Sequence, residues 1–355
     1  MSNMTTRQRF RRMFKHQEAD RVPMLASPWN TTLERWRREG MPADADFCEY
    51  FGLDKVAGIG ADNSPRYEEK IVEETEDYIV LHDSWGTTSK SWKHASSTPH
   101  WIARTIVDRP SWEAAKQRMV MGPDRIDWDY LKNNYQAWRQ NDWWIQGRLW
   151  FGFDVTHARI VGTERFLMWM ADDPELVSDI FNTELDCSLR LMEMIWDKGY
   201  TFDSIFWCDD MGYRNGTFFS VDMYRDLLKP VQKRAIEWAH SRGIAAHLHS
   251  CGNINAFVPE LVDMGLDALN PLEVKAGMDP VRLKKTYGDR LVLHGGLNAM
   301  LWDNIDRVEA EIVRLLPILK QGGGYLFQED HSIPDSVSLE DYTRLLKLAK
   351  ELGSY

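Results

Sequence analysis

The sharpest chemical signal in this 355-residue chain is a histidine and a cysteine two positions apart, in His247-Leu248-His249-Ser250-Cys251-Gly252. Residues i and i+2 of an extended chain point to the same side, so His249 and Cys251 can present an imidazole and a thiolate to one centre. That pair suits zinc, although core packing or ordinary hydrogen bonding would use the same residues. A catalytic zinc site takes three protein ligands and keeps one position open, and His331 is the candidate for the third. Asp209 and Asp210 are adjacent acids that could act as general acid and base or cap the segment that follows. Glu273 and His294 could orient a ligand or support the groups that do. Arg148 is the best-placed cation, for a substrate or for a structural ion pair. Asn30 and the aromatic residues Trp29, Trp85, Trp143 and Trp150 are candidates for a substrate wall, drawn from sixteen tryptophans of which most serve packing.

These side chains need elements to hold them. Apolar runs bounded by turn residues give eight strands, at 21–26, 54–59, 143–150, 203–208, 244–249, 267–272, 290–295 and 323–328. Helical patterns lie between them. Asp173-Pro174 opens one helix with Leu176, Val177, Ile180 and Phe181 on one face, and Asn304 opens another with Ile305, Val308, Ile312, Leu315 and Leu319 in a stripe. A third starts after Ser220 and runs to Lys229-Pro230, where proline should break or kink it. Eight alternating strands and helices predict an α/β fold, a (β/α)8 TIM-type barrel occupying residues 1–355 as a single domain. The segment 66–92 has period-2 character and reads as an antiparallel insertion between strands two and three. In such a barrel the site is built at the C-terminal strand ends, where Ser27, Trp29, Asn30, Asp209, Asp210, His249, Cys251, Asn270, Glu273, His294, Glu329, Asp330 and His331 fall.

Composition narrows the function classes. A formal charge of −11 and 43% hydrophobic residues describe an ordinary globular chain that repels phosphate backbones and anionic lipid, so neither nucleic acid nor membrane is an expected partner. Cys48, Cys187, Cys208 and Cys251 have no paired spacing, which predicts free thiols. Residues 1–16 lack the apolar stretch of a secretory signal, and no run approaches a membrane span, so a cytoplasmic location is expected.

The order of several motifs resembles the uroporphyrinogen decarboxylase superfamily over nearly the whole chain. They are Thr5-Thr6-Arg7-Gln8-Arg9-Phe10 leading to Asp20-Arg21-Val22-Pro23, then His249-Ser250-Cys251-Gly252-Asn253, Asn270-Pro271-Leu272-Glu273, Gly295-Gly296, and Gly323-Gly324-Tyr325 leading to Ile333-Pro334. The true decarboxylases follow their first strand with arginines that hold a substrate of many carboxylates. Here Ser27-Pro28-Trp29-Asn30 offers no cation, and an octacarboxylate would be left uncompensated. The resemblance is therefore to the branch of corrinoid-linked zinc methyltransferases, which carry His-x-Cys-Gly after the fifth strand and a second cysteine after the eighth. In that frame His331 stands where the second cysteine would be.

The resemblance implies zinc held by His249, Cys251 and His331, and a corrinoid carried by a separate protein. Two imidazoles and one thiolate leave more positive charge on zinc than one imidazole and two thiolates, which tilts the expectation from thiol activation towards an oxygen-bound methyl group, for instance in a methoxylated aromatic compound. Asp209, Asp210, Glu273 and His294 would then orient substrate or move protons. The alternatives are a methylcorrinoid:thiol methyltransferase, a metal-free decarboxylase-like enzyme on a small carboxylated substrate, and a non-catalytic binding protein on the same scaffold.

Overall fold

The computed structural model describes residues 4–94 and 98–355. Its centre is a curled parallel sheet of seven strands. In chain order the strands are β1 (Val56–Ile59), then an antiparallel set β2 (Lys70–Glu74), β3 (Tyr78–His82), β4 (Thr87–Trp92) and β5 (His100–Arg104), then β6 (Trp144–Leu149), β7 (Ser204–Cys208), a hairpin β8 (Gly212–Tyr213) and β9 (Gly216–Thr217), β10 (Ala245–His249), β11 (Ala268–Asn270), β12 (Val292–His294) and β13 (Tyr325–Leu326). The parallel order is β1-β6-β7-β10-β11-β12-β13, and β2 to β5 form a separate sheet in sequential order. Seven of the eight expected strands thus stand in one ladder.

The stretch predicted at 21–26 makes only isolated bridges, Met24 to Phe327 and Arg21 to Ser354. Pro23 explains part of this, because it lacks the N–H a ladder needs. The stretch is nevertheless tied to both edges of the sheet. Pro23 O accepts from Phe327 N at 2.9 Å and Leu25 N donates to Phe327 O at 3.0 Å, while Met24 O accepts from Asp54 N at 2.9 Å. On the β1 side a carboxylate replaces a strand carbonyl, with Asp54 Oδ2 accepting from Met24 N at 2.9 Å. The same buried carboxylate takes Arg9 at 3.0 Å and Arg21 at 2.7 Å.

Helices cover the sheet for legible reasons. Asp173 caps the helix Pro174–Asp197 by accepting from Leu176 N, and proline sits in its first turn. Leu176, Val177, Ile180, Phe181, Leu185, Leu191, Met192 and Ile195 of that helix join the core. Asn304 caps Ile305–Leu319, which buries Val308, Ile312, Leu315, Leu316 and Leu319. The expected break at Pro230 takes another form. The chain passes from Val221–Met223 through a π-helical turn at Tyr224–Leu228 into the helix Lys229–Ser241, with proline in its first turn. One wide turn absorbs the missing N–H and the ring, so the helix continues.

The antiparallel sheet is longer than the period-2 segment at 66–92, because His100–Arg104 adds a fourth strand. That strand is mostly exposed, so no buried face imposes a readable alternation on it. The sheet leans on the π-helical segment Val155–Val161 that follows β6, where Arg104 Nη2 donates to Ala158 O at 2.7 Å. Among the described residues no helix is long and apolar enough to cross a membrane.

Candidate metal and substrate site

Strand alternation delivers His247 and His249 to one side of β10, facing the interior enclosed by the curled sheet. His247 pairs in register with Phe206 and His249 with Cys208, on β7. Beyond β10 the chain turns sharply at Gly252, whose φ is +81°. A Cβ there would lie 2.1 Å from the Gly212 carbonyl carbon, so only glycine lets this loop pack on the β8–β9 hairpin. Glu273 secures the turn by accepting from Gly252 N at 2.5 Å, and Lys275 neutralises its other oxygen at 3.1 Å.

Three donor atoms converge at this turn. Asp210, His249 and Cys251 each offer one ligand atom, and the three atoms lie within 4.8 Å of one another. Cys251 Sγ is 3.3 Å from His249 Nε2, and that nitrogen is 3.6 Å from Asp210 Oδ1. His249 Nδ1 donates to Asn270 Oδ1 at 2.5 Å, which places the ring proton on Nδ1 and leaves the Nε2 lone pair facing the cysteine and the aspartate. Asp210 also accepts from Cys251 N at 2.8 Å, fixing the two residues to each other. Burial pushes the Cys251 thiol pKa up, and the Asp210 charge adds to the effect. A bound cation would reverse that balance, because a coordinating thiol is deprotonated. Nitrogen, sulfur and carboxylate oxygen with an oriented imidazole are a donor set that fits zinc.

His331 stands elsewhere on the same cavity. Its ring is 6.2 Å from that of Trp29, it accepts from Ser332 N at 2.9 Å, and it is exposed. The converging group therefore contains Asp210 and not His331. The two adjacent aspartates have separated roles. Asp209 is buried, accepts from Asp154 N at 3.0 Å and Gln232 Nε2 at 2.7 Å, and has its pKa pushed up to about 8 by burial.

A cavity of about 660 Å³ adjoins the cluster, lined among others by Trp29, Phe47, Arg148, Phe206, His249, Cys251 and His331. Of the four tryptophans proposed for its wall, only Trp29 is there. Trp143 lies under Lys55 and Trp150 beside Arg159, each in a cation–π contact, and Trp85 packs against the main core. Asn30 is the first residue of the helix Asn30–Arg38 and is exposed beside this cavity's Trp29.

His294 belongs to a buried chain of polar side chains. Gln146 Nε2 donates to His247 Nδ1 at 3.4 Å, so His247 Nε2 donates to His294 Nδ1 at 3.2 Å and His294 Nε2 to Gln328 Oε1 at 2.6 Å. Gln328 Nε2 ends the chain on Ser27 Oγ at 3.0 Å. Each imidazole gives one hydrogen bond and takes one, which is the pattern of neutral histidine. Burial agrees in direction, lowering His294 to about 4 and His247 well below its ordinary value.

Sequence reasoning did not single out Asn270, Gln146, Gln328 or Asp154 for these positions. Asn270 stands out in the sequence as a strand-end residue and as part of Asn270-Pro271-Leu272-Glu273, neither of which assigns it a partner, and the glutamines carry no local signature. Asp154 lies past the end of β6, with Oδ1 3.7 Å from His157 Nε2. Burial, then the charge of Asp210, pushes its pKa up to about 7.

The comparisons with known proteins accord with this architecture. The family model described as uroporphyrinogen decarboxylase matches residues 156–352. The methylcobamide:CoM methyltransferase MtaA of Methanosarcina barkeri is 25% identical over 155 residues, 43% of this chain and 43% of that protein, so the aligned stretch spans under half of the relative's length. A methyltransferase structure from Methanosarcina mazei superposes with a TM-score of 0.66 at 17% identity, covering 98% of this chain and 99% of that one, which establishes the shared fold. The chain belongs to the uroporphyrinogen decarboxylase family.

Proposed function

We propose that the protein is a zinc-dependent methyltransferase that moves a methyl group between a small molecule and a corrinoid carried by a partner protein. The observation that carries this reading is the convergence of Asp210, His249 and Cys251 within 4.8 Å, with the His249 lone pair aimed inward by Asn270. The curated relative is named as a methyltransferase acting on a methylcobamide, which supports the corrinoid partner. On this reading Asp210, His249 and Cys251 hold the ion. Bound there, zinc would supply a Lewis acid that stabilises negative charge on the heteroatom exchanging the methyl group.

The chain's own residues do the rest. Asn270 fixes the imidazole tautomer, Glu273 and Gly252 hold the Cys251 turn, and Trp29, Phe47 and Phe206 give the cavity an aromatic wall for the substrate. Asp154, partly protonated near neutral pH, is a proton source close to Asp210. A carboxylate, a thiolate and an imidazole balance the charge of a divalent ion, so the charge argument for an oxygen donor, which rested on His331, no longer applies. The aromatic wall still favours a flat methoxylated aromatic substrate, and His331 beside Trp29 becomes part of that wall.

The test is metal content of wild type, Asp210→Asn, His249→Ala, Cys251→Ala and His331→Ala, followed by transfer assays with methylated corrinoid protein. One zinc per chain in wild type and His331→Ala, and little in the other three folded variants, is the expected result. Wild type that takes up no zinc, or zinc lost only in His331→Ala, would overturn the ligand assignment.

A further inference from the structure

Arg148 is the one lysine or arginine lining the cavity among the described residues. It projects inward from β6, two residues beyond Gln146 and on the same side. The sheet makes room for it. Gly58 lies beside Arg148, and a Cβ at Gly58 would come within 3.1 Å of Arg148 Nε. The guanidinium carbon sits 4.3 Å from the centroid of the Phe206 ring, and among the described residues no carboxylate forms an ion pair with it.

The acids on the cavity wall are committed elsewhere. Asp54 holds Arg9 and Arg21, Glu329 accepts from Ser27 N, and Asp330 accepts from Val274 N and Ala299 N. A cation–π contact is worth only about 2 kcal/mol when desolvated, less than a guanidinium loses on leaving water. Burial accordingly draws the Arg148 pKa down, the direction of a cation lacking a counter-ion. A lone cation in a site cavity is compensated when its ligand brings the anion.

We infer that Arg148 binds an oxyanion of the small substrate, a carboxylate or a sulfonate, and so sets specificity for an anionic methyl donor or acceptor. This rests on the reading of the cavity as a substrate site beside the metal ligands. The Phe206 ring links the two, 4.3 Å from the guanidinium carbon and 6.3 Å from the His249 ring. Arg148, Phe206, His249 and Cys251 line the same cavity, so a small substrate in it can meet the guanidinium with one end and the metal ligands with the other. The fork of donors on arginine matches a carboxylate in two parallel hydrogen bonds and also serves a sulfonate.

The experiment is equilibrium binding, read by titration calorimetry on the protein as purified, and needs no methyl transfer. The probes are 3-methoxybenzoate against neutral 3-methoxybenzamide, and 2-mercaptoethanesulfonate against neutral 2-mercaptoethanol. Wild type should bind at least one anion about 30-fold more tightly than its neutral counterpart, the equivalent of about 2 kcal/mol for one buried charged pair. Arg148→Gln should abolish that preference while leaving the neutral probes within about 3-fold, and Arg148→Lys should retain part of it, by the same charge argument. The anion preferred tells carboxylate from sulfonate. Equal binding of anion and neutral probe by wild type, or an undiminished preference in folded Arg148→Gln, would overturn the inference. An Arg148-dependent preference in a protein that transfers no methyl group would uphold the anion site while the methyltransferase reading fails.

Discussion

On the proposed reading, what readies His249 for a metal is a residue outside the converging cluster, Asn270. The histidine's Nδ1–H is spent on Asn270 Oδ1, so the nitrogen facing Cys251 and Asp210 is the one with a lone pair. Losing such a supporting hydrogen bond typically lowers metal affinity by about 10- to 100-fold. Asn270→Ala is expected to weaken zinc binding by about that factor while leaving the three ligands in place, measured by competition with a chromophoric chelator. Unchanged affinity would mean that the ring is oriented by packing alone. Cys208, one strand away in register with His249, illustrates the opposite case. Burial pushes its pKa up to about 12, and it is a packed thiol outside the ligand cluster.

At the scale of elements, the sheet curls far enough for one short stretch, residues 23–25, to hydrogen-bond both Phe327, just past β13, and Asp54, which leads into β1. Asp54 holds that seam. Its buried carboxylate receives Met24 N, Thr6 Oγ1 and two guanidinium groups, from Arg9 and Arg21. Removing one member of a buried charged group strands the others without a partner, at a cost of about 3–5 kcal/mol. Asp54→Ala should lose stability in that range by urea unfolding, and a loss below about 1 kcal/mol would show that water replaces the carboxylate. The π turn at Tyr224–Leu228 follows the same logic on a smaller scale, since a local widening accommodates a proline that sequence rules read as a break.

Across the whole molecule, buried titratable groups pull stability in opposite directions with pH. Burial lowers His157 and His294 to about 4 and His247 well below its ordinary value. Unfolding restores ordinary values near ~6.5, so from there downward the unfolded chain binds more protons and these groups cost stability as pH falls. Burial raises Asp154 to about 7, Asp209 and Glu329 to about 8, and Glu184 well above its usual value. Their contribution is full below the unfolded carboxylate pKa near ~4 and is lost as pH rises through the folded values. The two sets oppose each other between ~4.5 and ~6.5; above that the four carboxyls dominate, opposed towards the upper end by Lys284, the one lysine among the described residues that burial lowers to about 8. The Tm of metal-free protein should therefore fall as pH is raised from ~6.5 to ~8.5, followed by circular dichroism; a flat or rising Tm over that window would contradict the buried-carboxyl account.

The sequence by itself determined the alternation of strands and helices, because apolar runs, capping residues such as Asp173 and Asn304, and Gly or Pro breaks are local properties. It also pointed to the His249–Cys251 pair, since positions i and i+2 share a side for as long as the chain stays extended past the end of β10. Only the tertiary structure decided that Asp210 and not His331 joins that pair, because the choice depends on how neighbouring strand ends meet. Likewise it decided that Trp143 and Trp150 pack under Lys55 and Arg159 while Phe47 and Phe206 face the cavity. Side-chain type says an aromatic ring will be buried; which concavity receives it is fixed by strand register and by the curl of the sheet.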